Sequence, residues 1–219
     1  MLLTTLLVSQ SAMAEYYGIQ VGGVKVTSEN CTNITGEHIK PWLDGYISTC
    51  SYNPETKTLT LGNISIVRSG SGNRAILNES CDGLTIRFVN PCQLSATNAS
   101  PLRLNANTTI TSIPMDITNV SGYWGFSIYI EGDYEDAITI GNGARFEIKD
   151  CTNMKIEADR SSGIVGNTGA EMLTIINSDI KIYRPETYTA QPTWAGIKNL
   201  LDTFVHASEV KIVVDPVFI

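Results

Sequence analysis

Basic charge is scarce in this sequence: 15 Lys and Arg stand against 22 Asp and Glu, a formal charge of −7 over 219 residues. That leaves no basic surface to neutralise phosphates and argues against nucleic-acid binding. Histidine is scarcer still. His38 and His206 are the only two, and His206 reads as a strand residue rather than a general base. Apolar residues make up 42% yet rarely run unbroken, so no stretch approaches the ~20 apolar residues of a membrane-crossing helix. Cys-x-x-Cys, His-Glu-x-x-His, Gly-x-Ser-x-Gly and phosphate-loop patterns are all missing, and "GNGARF" from Gly141 is a turn. Asn-Gly hairpin signals are also few, which counts against an antiparallel β-sandwich.

What fills the chain instead is a repeated phrase of short apolar pieces separated by Asn, Ser, Thr and Gly. One piece recurs as "AIL" at Ala75, "LRL" at Leu102, "SIYI" at Ser127, "GIV" at Gly163 and "GIK" at Gly196. A second recurs as "LTIRFV" at Leu84, "TTITSI" at Thr108, "ITI" at Ile138, "LTII" at Leu173 and "TFVHA" at Thr203. A third recurs as "QLSA" at Gln93, "MDIT" at Met115, "MKIEA" at Met154, "IKIY" at Ile180 and "VKIVVD" at Val210. Self-similarity at a period of 20 to 50 residues marks a solenoid. Three short strands per period predict an all-β, right-handed parallel β-helix of about five to six three-strand coils. Alternating residues such as Ile128 and Ile130 point inward and stack as ladders about 4.8 Å apart, for which Leu84, Ile138 and Leu173 are one expected set.

Three regions follow. Residues 1–14, "MLLTTLLVSQSAMA", carry an apolar run and a small-x-small site before Glu15, as a secretory signal peptide does, although no Lys or Arg precedes Lys25. Residues 15–58 do not fit the coil phrase. "YYGIQVGGVKVTSEN" reads as a hairpin turning at Gly22 and Gly23, and the segment is expected to cap the N-terminal end of a helix formed by residues 59–219. Asn63, Asn177 and either Asp150 or Asn153 are expected at one shared corner. The apolar "VKIVVDPVFI" closes the array. Either residues 216–219 fold back over it, favoured because Pro216 cannot donate to a ladder, or that end meets another copy.

The phrases "VGGVKVTSEN", "ITGEHI" and "SYNPETKTLTLGNISI" resemble the opening of a group of secreted proteins from gut-dwelling bacteria, described as carbohydrate-binding domain-containing or uncharacterised. Their coils are right-handed parallel β-helices. The resemblance is most specific over residues 18–66 and implies carbohydrate or cell-surface binding, with no catalytic set to carry over.

A β-helix that cleaves polysaccharide needs paired carboxylates on one strand face. Asp116 and Asp150 look isolated, so the expectation is a secreted or cell-surface, periplasmic-compatible binding module for glycan or another extracellular ligand. A β-helix lyase or hydrolase and a purely adhesive module are the alternatives. The longest loops, "EGDYEDA" and "RPETYTAQPTW", fall on one flank and are expected about one coil apart. They would offer Tyr134, Tyr188 and Trp194 for stacking and Asp133, Glu135 and Glu186 as acceptors for hydroxyls. No cofactor is required, though Glu131, Asp133, Glu135 and Asp136 form a run that could attract Ca²⁺. Cys31 and Cys50 flank the irregular cap loop, where an exported domain gains most from a crosslink, and are expected to be paired or close.

Overall fold

The computed structural model describes residues 13–114, 126–184 and 195–214, and all the regular structure in them is β. Four strands form the cap: β1 (Tyr16–Val21), β2 (Val24–Thr27), β3 (Ile39–Pro41) and β4 (Thr49–Asn53). Coil one contains β5 (Thr58–Gly62), β6 (Ile64–Ser69) and β7 (Ile76–Asn78). Coil two contains β8 (Leu84–Phe88), β9 (Cys92–Thr97) and β10 (Leu102–Leu104), and coil three β11 (Thr108–Ser112), β12 (Ile128–Gly132) and β13 (Ile138–Ile140). In coil four lie β14 (Arg145–Lys149), β15 (Met154–Ala158) and β16 (Ile164–Gly166), and in coil five β17 (Met172–Ile176), β18 (Asp179–Arg184) and β19 (Ile197–Lys198). β20 (Asp202–His206) and β21 (Glu209–Val214) are the last described strands.

These strands stack into three sheets, β2-β1-β7-β10-β13-β16-β19, β4-β5-β8-β11-β14-β17-β20 and β3-β6-β9-β12-β15-β18-β21. The coil strands pair parallel with their equivalents one coil away, as β9 with β12 and β12 with β15. The chain is a parallel β-helix. Antiparallel pairs occur where β1 to β4 close the N-terminal end, and the β1–β2 hairpin turns at Gly22 and Gly23, whose φ values of 58° and 83° suit glycine.

Alternation along each strand builds the core. In the third sheet Ile66, Leu94, Ile130, Ile156 and Ile182 form one inward ladder, each with 0% of its surface exposed. Each such side chain contributes roughly 1.5–3 kcal/mol of burial. No coil could bury this face alone.

Coil three departs from the expected register. Ile128–Gly132 lies in the third sheet and Ile138–Ile140 in the first, one strand earlier in the cycle than the phrase alignment has them. Ile138 therefore stacks between Leu102 and Ile164, while Leu84 and Leu173 share a ladder with Thr108 and Phe146. The proposed "MDIT" strand lies outside the described residues, as do residues 1–12 and 216–219. "ITI" misleads because three-residue pieces of alternating β-branched residues fit either sheet equally well.

Asparagine makes the corner between the second and third sheets. Asn63, Asp150, Asn153 and Asn177 hold φ values of 48°, 55°, 54° and 47°, a left-handed conformation Asn and Asp tolerate. The amide of Asn177 donates to Asp150 Oδ1 at 2.7 Å, stacking one coil on the next. Asn63, fully buried, donates to the carbonyls of Leu43 (2.9 Å) and Tyr46 (2.8 Å) and accepts from the Leu43 N–H (2.8 Å). One side chain thus pins residues 43–46 to coil one.

A carboxylate serves the same purpose at another corner. Glu171 is fully buried and accepts from the N–H groups of Gly143 (3.1 Å), Thr168 (3.0 Å), Gly169 (2.9 Å) and Ala170 (3.2 Å) and from the Thr168 hydroxyl (2.7 Å). Burial alone would push its pKa up. The donors, led by the Thr168 hydroxyl, more than reverse that and hold it at about 2.

Cys31, Cys50, Cys81, Cys92 and Cys151 are all buried free thiols, so the expected Cys31–Cys50 crosslink is not formed in this structure. Their segments do run side by side: Ile34 donates to the Cys50 carbonyl at 2.8 Å and Tyr52 to the Cys31 carbonyl at 2.6 Å. Backbone hydrogen bonds hold the cap loop where a crosslink was anticipated.

Candidate functional site

The outer face of the third sheet carries most of the chain's unusual chemistry. Inward positions there are apolar, so the intervening residues of β9, β12, β15 and β18 face outward. The strand registers align Gln93, Tyr129, Lys155 and Lys181 in one outer row and Ser95, Glu131, Glu157 and Tyr183 in the next. Just past the strand ends, Asp133 donates its N–H to Ala96 and Asp159 its N–H to Gly132, which continues the ladder and adds a second pair of carboxylates. Glu131, Asp133, Glu157 and Asp159 thus make a two-by-two array. The expectation that no strand face bears a carboxylate set is corrected here, because Glu131, read as the first residue of a loop, is a residue of β12 and pairs with Glu157 of β15.

Lys155 lies beside this array. Its ammonium is 2.5 Å from Glu157, and the two residues are 6% and 8% exposed despite facing outward. The rings of Tyr183, Tyr129 and Phe126 stand 4.5, 5.1 and 5.5 Å from that ammonium. Lys181 approaches the Tyr183 ring at 4.9 Å, so this ring is flanked by two cations. The Tyr129 hydroxyl donates to Glu157 at 3.0 Å.

Two of these carboxylates, Glu131 and Asp159, are shifted by their surroundings. Burial raises the pKa of Glu131, with Glu157 and Asp133 adding to the effect and Ser95 and Tyr129 opposing it by hydrogen bonds. Burial, then Glu157, Glu131 and Asp133, push Asp159 up to about 7 against the pull of Arg160. Tyr129 is likewise raised, by burial first and then by Glu131 and Glu157. The Oδ1 atoms of Asp133 and Asp159 are buried without a hydrogen-bond partner among the described residues.

The corner after β12 completes the site. Ala96, Gly132 and Ala158 form a column of small residues, and a Cβ on Gly132 would lie 2.6 Å from the Glu135 carbonyl. Only glycine lets the chain turn that tightly. The turn lifts Tyr134, 44% exposed, to stack on Arg160, whose guanidinium carbon is 4.1 Å from the ring centroid. Asp136 turns away and accepts from the Ser161 hydroxyl and, at 2.9 Å, the Ser162 N–H. Glu135 is exposed. The run considered for Ca²⁺ is therefore dispersed. Among the described residues no group of three or more His, Cys, Asp or Glu is arranged to hold a metal ion.

Of the expected stacking and acceptor residues, Tyr134, Asp133 and Glu135 share this corner, while Glu186, Tyr188 and Trp194 lie outside the described residues. The strands that bound their loop, β18 and β19, are two coils from β12 and β13, with β15 and β16 between. The two long loops are thus not on adjacent coils as expected. Tyr129, Lys155, Glu157, Asp159 and Tyr183 are the residues the sequence reading missed as a group. The signal was present in the i, i+2 spacing of Tyr129-Glu131-Asp133 and Lys155-Glu157-Asp159.

A concavity of about 690 Å³ lies on the cap beside Tyr16, Tyr17 and Tyr52. Its polar groups already serve the fold: Tyr16 donates to Glu79 at 2.7 Å and the Tyr52 hydroxyl meets Cys81 Sγ at 3.5 Å. The outer face of the third sheet is the better candidate. Among the described residues no helix is long and apolar enough to cross a membrane. No protein-family model matches the chain, and neither a curated protein nor a solved structure matches it.

Proposed function

We propose that the protein is an exported binding module for an extracellular glycan, held on the outer face of the third sheet. The observation that supports this most is the joining, on one face, of tyrosine rings with carboxylates and an ammonium: Tyr129, Tyr183 and Tyr134 beside Glu131, Asp133, Glu157 and Asp159, with Lys155 among them. Flat rings stack on the apolar face of a sugar, and the half-buried carboxylates Glu131, Asp133 and Asp159 accept from its hydroxyls, while Glu157, buried against Lys155 and Tyr129, holds the site together. Four clustered carboxylates on a chain of charge −7 repel polyuronates, so the ligand class is neutral or amino-bearing glycan. Export rests on the signal-like residues 1–14.

Glycoside hydrolysis is the second reading, favoured by Asp159. A carboxyl pushed up to about 7 keeps a proton near neutrality, as a general acid must, beside Glu157, which Lys155 and Tyr129 hold as an acceptor.

Calorimetric titration against a panel of neutral, amino and uronic-acid oligosaccharides tests both readings, with a parallel assay for new reducing ends. Binding without release is expected, and Tyr183→Ala with Tyr134→Ala should raise Kd about tenfold, equivalent to about 1.4 kcal/mol. Release of reducing ends that Asp159→Asn abolishes selects the hydrolase. Neither binding nor release across the panel overturns the glycan assignment.

A further inference from the structure

The two ends of the solenoid differ. At the N-terminal end β2, β3 and β4 close all three sheets with antiparallel strands, and Lys25, Lys40 and Pro41 are exposed there. These residues blunt an edge against further pairing. At the other end β19, β20 and β21 have neighbours on one side only among the described residues. Every residue of β20 is exposed.

The exposure reaches into the core. Val205 continues the inward ladder of Ile175, and Ile212 that of Ile182. Ile175 and Ile182 are 0% exposed, whereas Val205 is 46% and Ile212 52% exposed. Phe204, on the outer side of β20, is 56% exposed and stacks on His206 with ring centroids 6.2 Å apart. A row of backbone groups without partners among the described residues, backed by open apolar ladders, is a surface suited to another strand.

We propose that this open end joins two copies of the protein tail to tail, about a two-fold axis normal to the second sheet. The axis pairs β20 antiparallel with β20 of the second copy and, because it exchanges the first and third sheets, sets β19 against β21. The sequence of β20 is complementary to itself in that arrangement. Centred on Phe204, antiparallel pairing of Asp202-Thr203-Phe204-Val205-His206 places Asp202 opposite His206 of the second copy, twice, with Thr203 opposite Val205 and Phe204 opposite Phe204. A cross-strand hydrogen bond from the His206 imidazole N–H to the Asp202 carboxylate, and the facing Phe204 rings, favour that register. Head-to-tail stacking, which would run on into filaments, is opposed by the antiparallel cap, so the contact closes as a dimer.

Sedimentation equilibrium across the micromolar to millimolar range reads this directly. A monomer–dimer equilibrium is expected. Val205→Lys, which would place an ammonium inside the shared ladder, should leave monomer alone, with the far-UV β spectrum confirming the fold. His206→Asp, which sets like charges opposite each other, should weaken the dimer at least tenfold. The double exchange Asp202→His with His206→Asp should restore it, an outcome a merely structural role for either residue would not produce. A monomer at every concentration overturns the proposal, and hydrogen exchange showing protected β20 amides in that monomer would assign the end to the chain's own residues 216–219. A dimer indifferent to Val205→Lys overturns it equally, by placing the contact elsewhere.

Discussion

Glu131 and Glu157 stand directly opposite each other in the parallel register of β12 and β15, two carboxylates on the same outer face. Like charges in that relation destabilise a sheet. Here Lys155 and the Tyr129 hydroxyl both engage Glu157, and the remaining strain falls on Asp159, whose pKa rises to about 7 through burial and then through Glu157, Glu131 and Asp133.

Stability should therefore depend on pH in a definite direction. Asp159 has an ordinary value of 3.8 and a folded value of about 7, so between these the folded chain binds more protons than the unfolded one. This group's contribution falls as pH rises from about 4 to about 7 and is constant above that. Asp159→Asn should remove the dependence. Discounted for solvent screening at a half-buried group, the gain at pH 8 is roughly 1 kcal/mol, or about 2–4 °C in Tm, with little change at pH 4. Calorimetric melts at the two pH values measure it, and an equal shift at both would contradict the assignment.

Glu171 should behave in the opposite sense. Its folded value of about 2 lies below the ordinary 4.5, so its stabilisation is present above about 4.5 and is lost as pH falls toward 2. Glu171→Ala leaves the N–H groups of Gly143, Thr168, Gly169 and Ala170 without their acceptor and should cost about 3 kcal/mol or more in urea titration at pH 7.

The cap should come loose when Asn63 is shortened. Asn63→Ala loses three hydrogen bonds to residues 43–46 and puts a residue with no polar side chain at φ 48°, a cost of about 2–4 kcal/mol. Asn63→Gly keeps the backbone conformation but not the amide. Limited proteolysis should cut both variants near residues 42–48 faster than the parent, with the alanine variant melting lower.

Cys50, Cys92 and Cys151 should be unreactive in the folded state. Burial pushes Cys50, Cys92 and Cys151 up to about 12, which removes the thiolate that attacks a disulfide reagent. Their reaction with an aromatic disulfide reagent should proceed in step with unfolding. Prompt labelling of any of these three under native conditions would show the coil packing to be looser than described.

Much of the fold was legible in the amino-acid order because a solenoid is written locally. Ile180 and Ile182 alternate with Lys181 and Tyr183, and that period of two dictates a strand with one face in and one out. Asn63 and Asn177 announce their corners because few other residues accept a left-handed conformation. The hairpin at Gly22 and Gly23 is local for the same reason.

Register between coils is another matter. Ile128-Tyr129-Ile130 and Ile138-Thr139-Ile140 carry the same alternation, so nothing within either says which sheet it joins; pairing with Cys92–Ala96 and Met154–Ala158 decides it. That pairing also sets Glu131 against Glu157 and Lys155 against Tyr129, residues 26 apart in sequence whose meeting no single coil encodes. The sequence by itself determined the strands, the corners and the repeating architecture, since these depend on neighbours along the chain. The tertiary structure alone decided the charged face, because a site made of one residue per coil exists only after the coils have stacked.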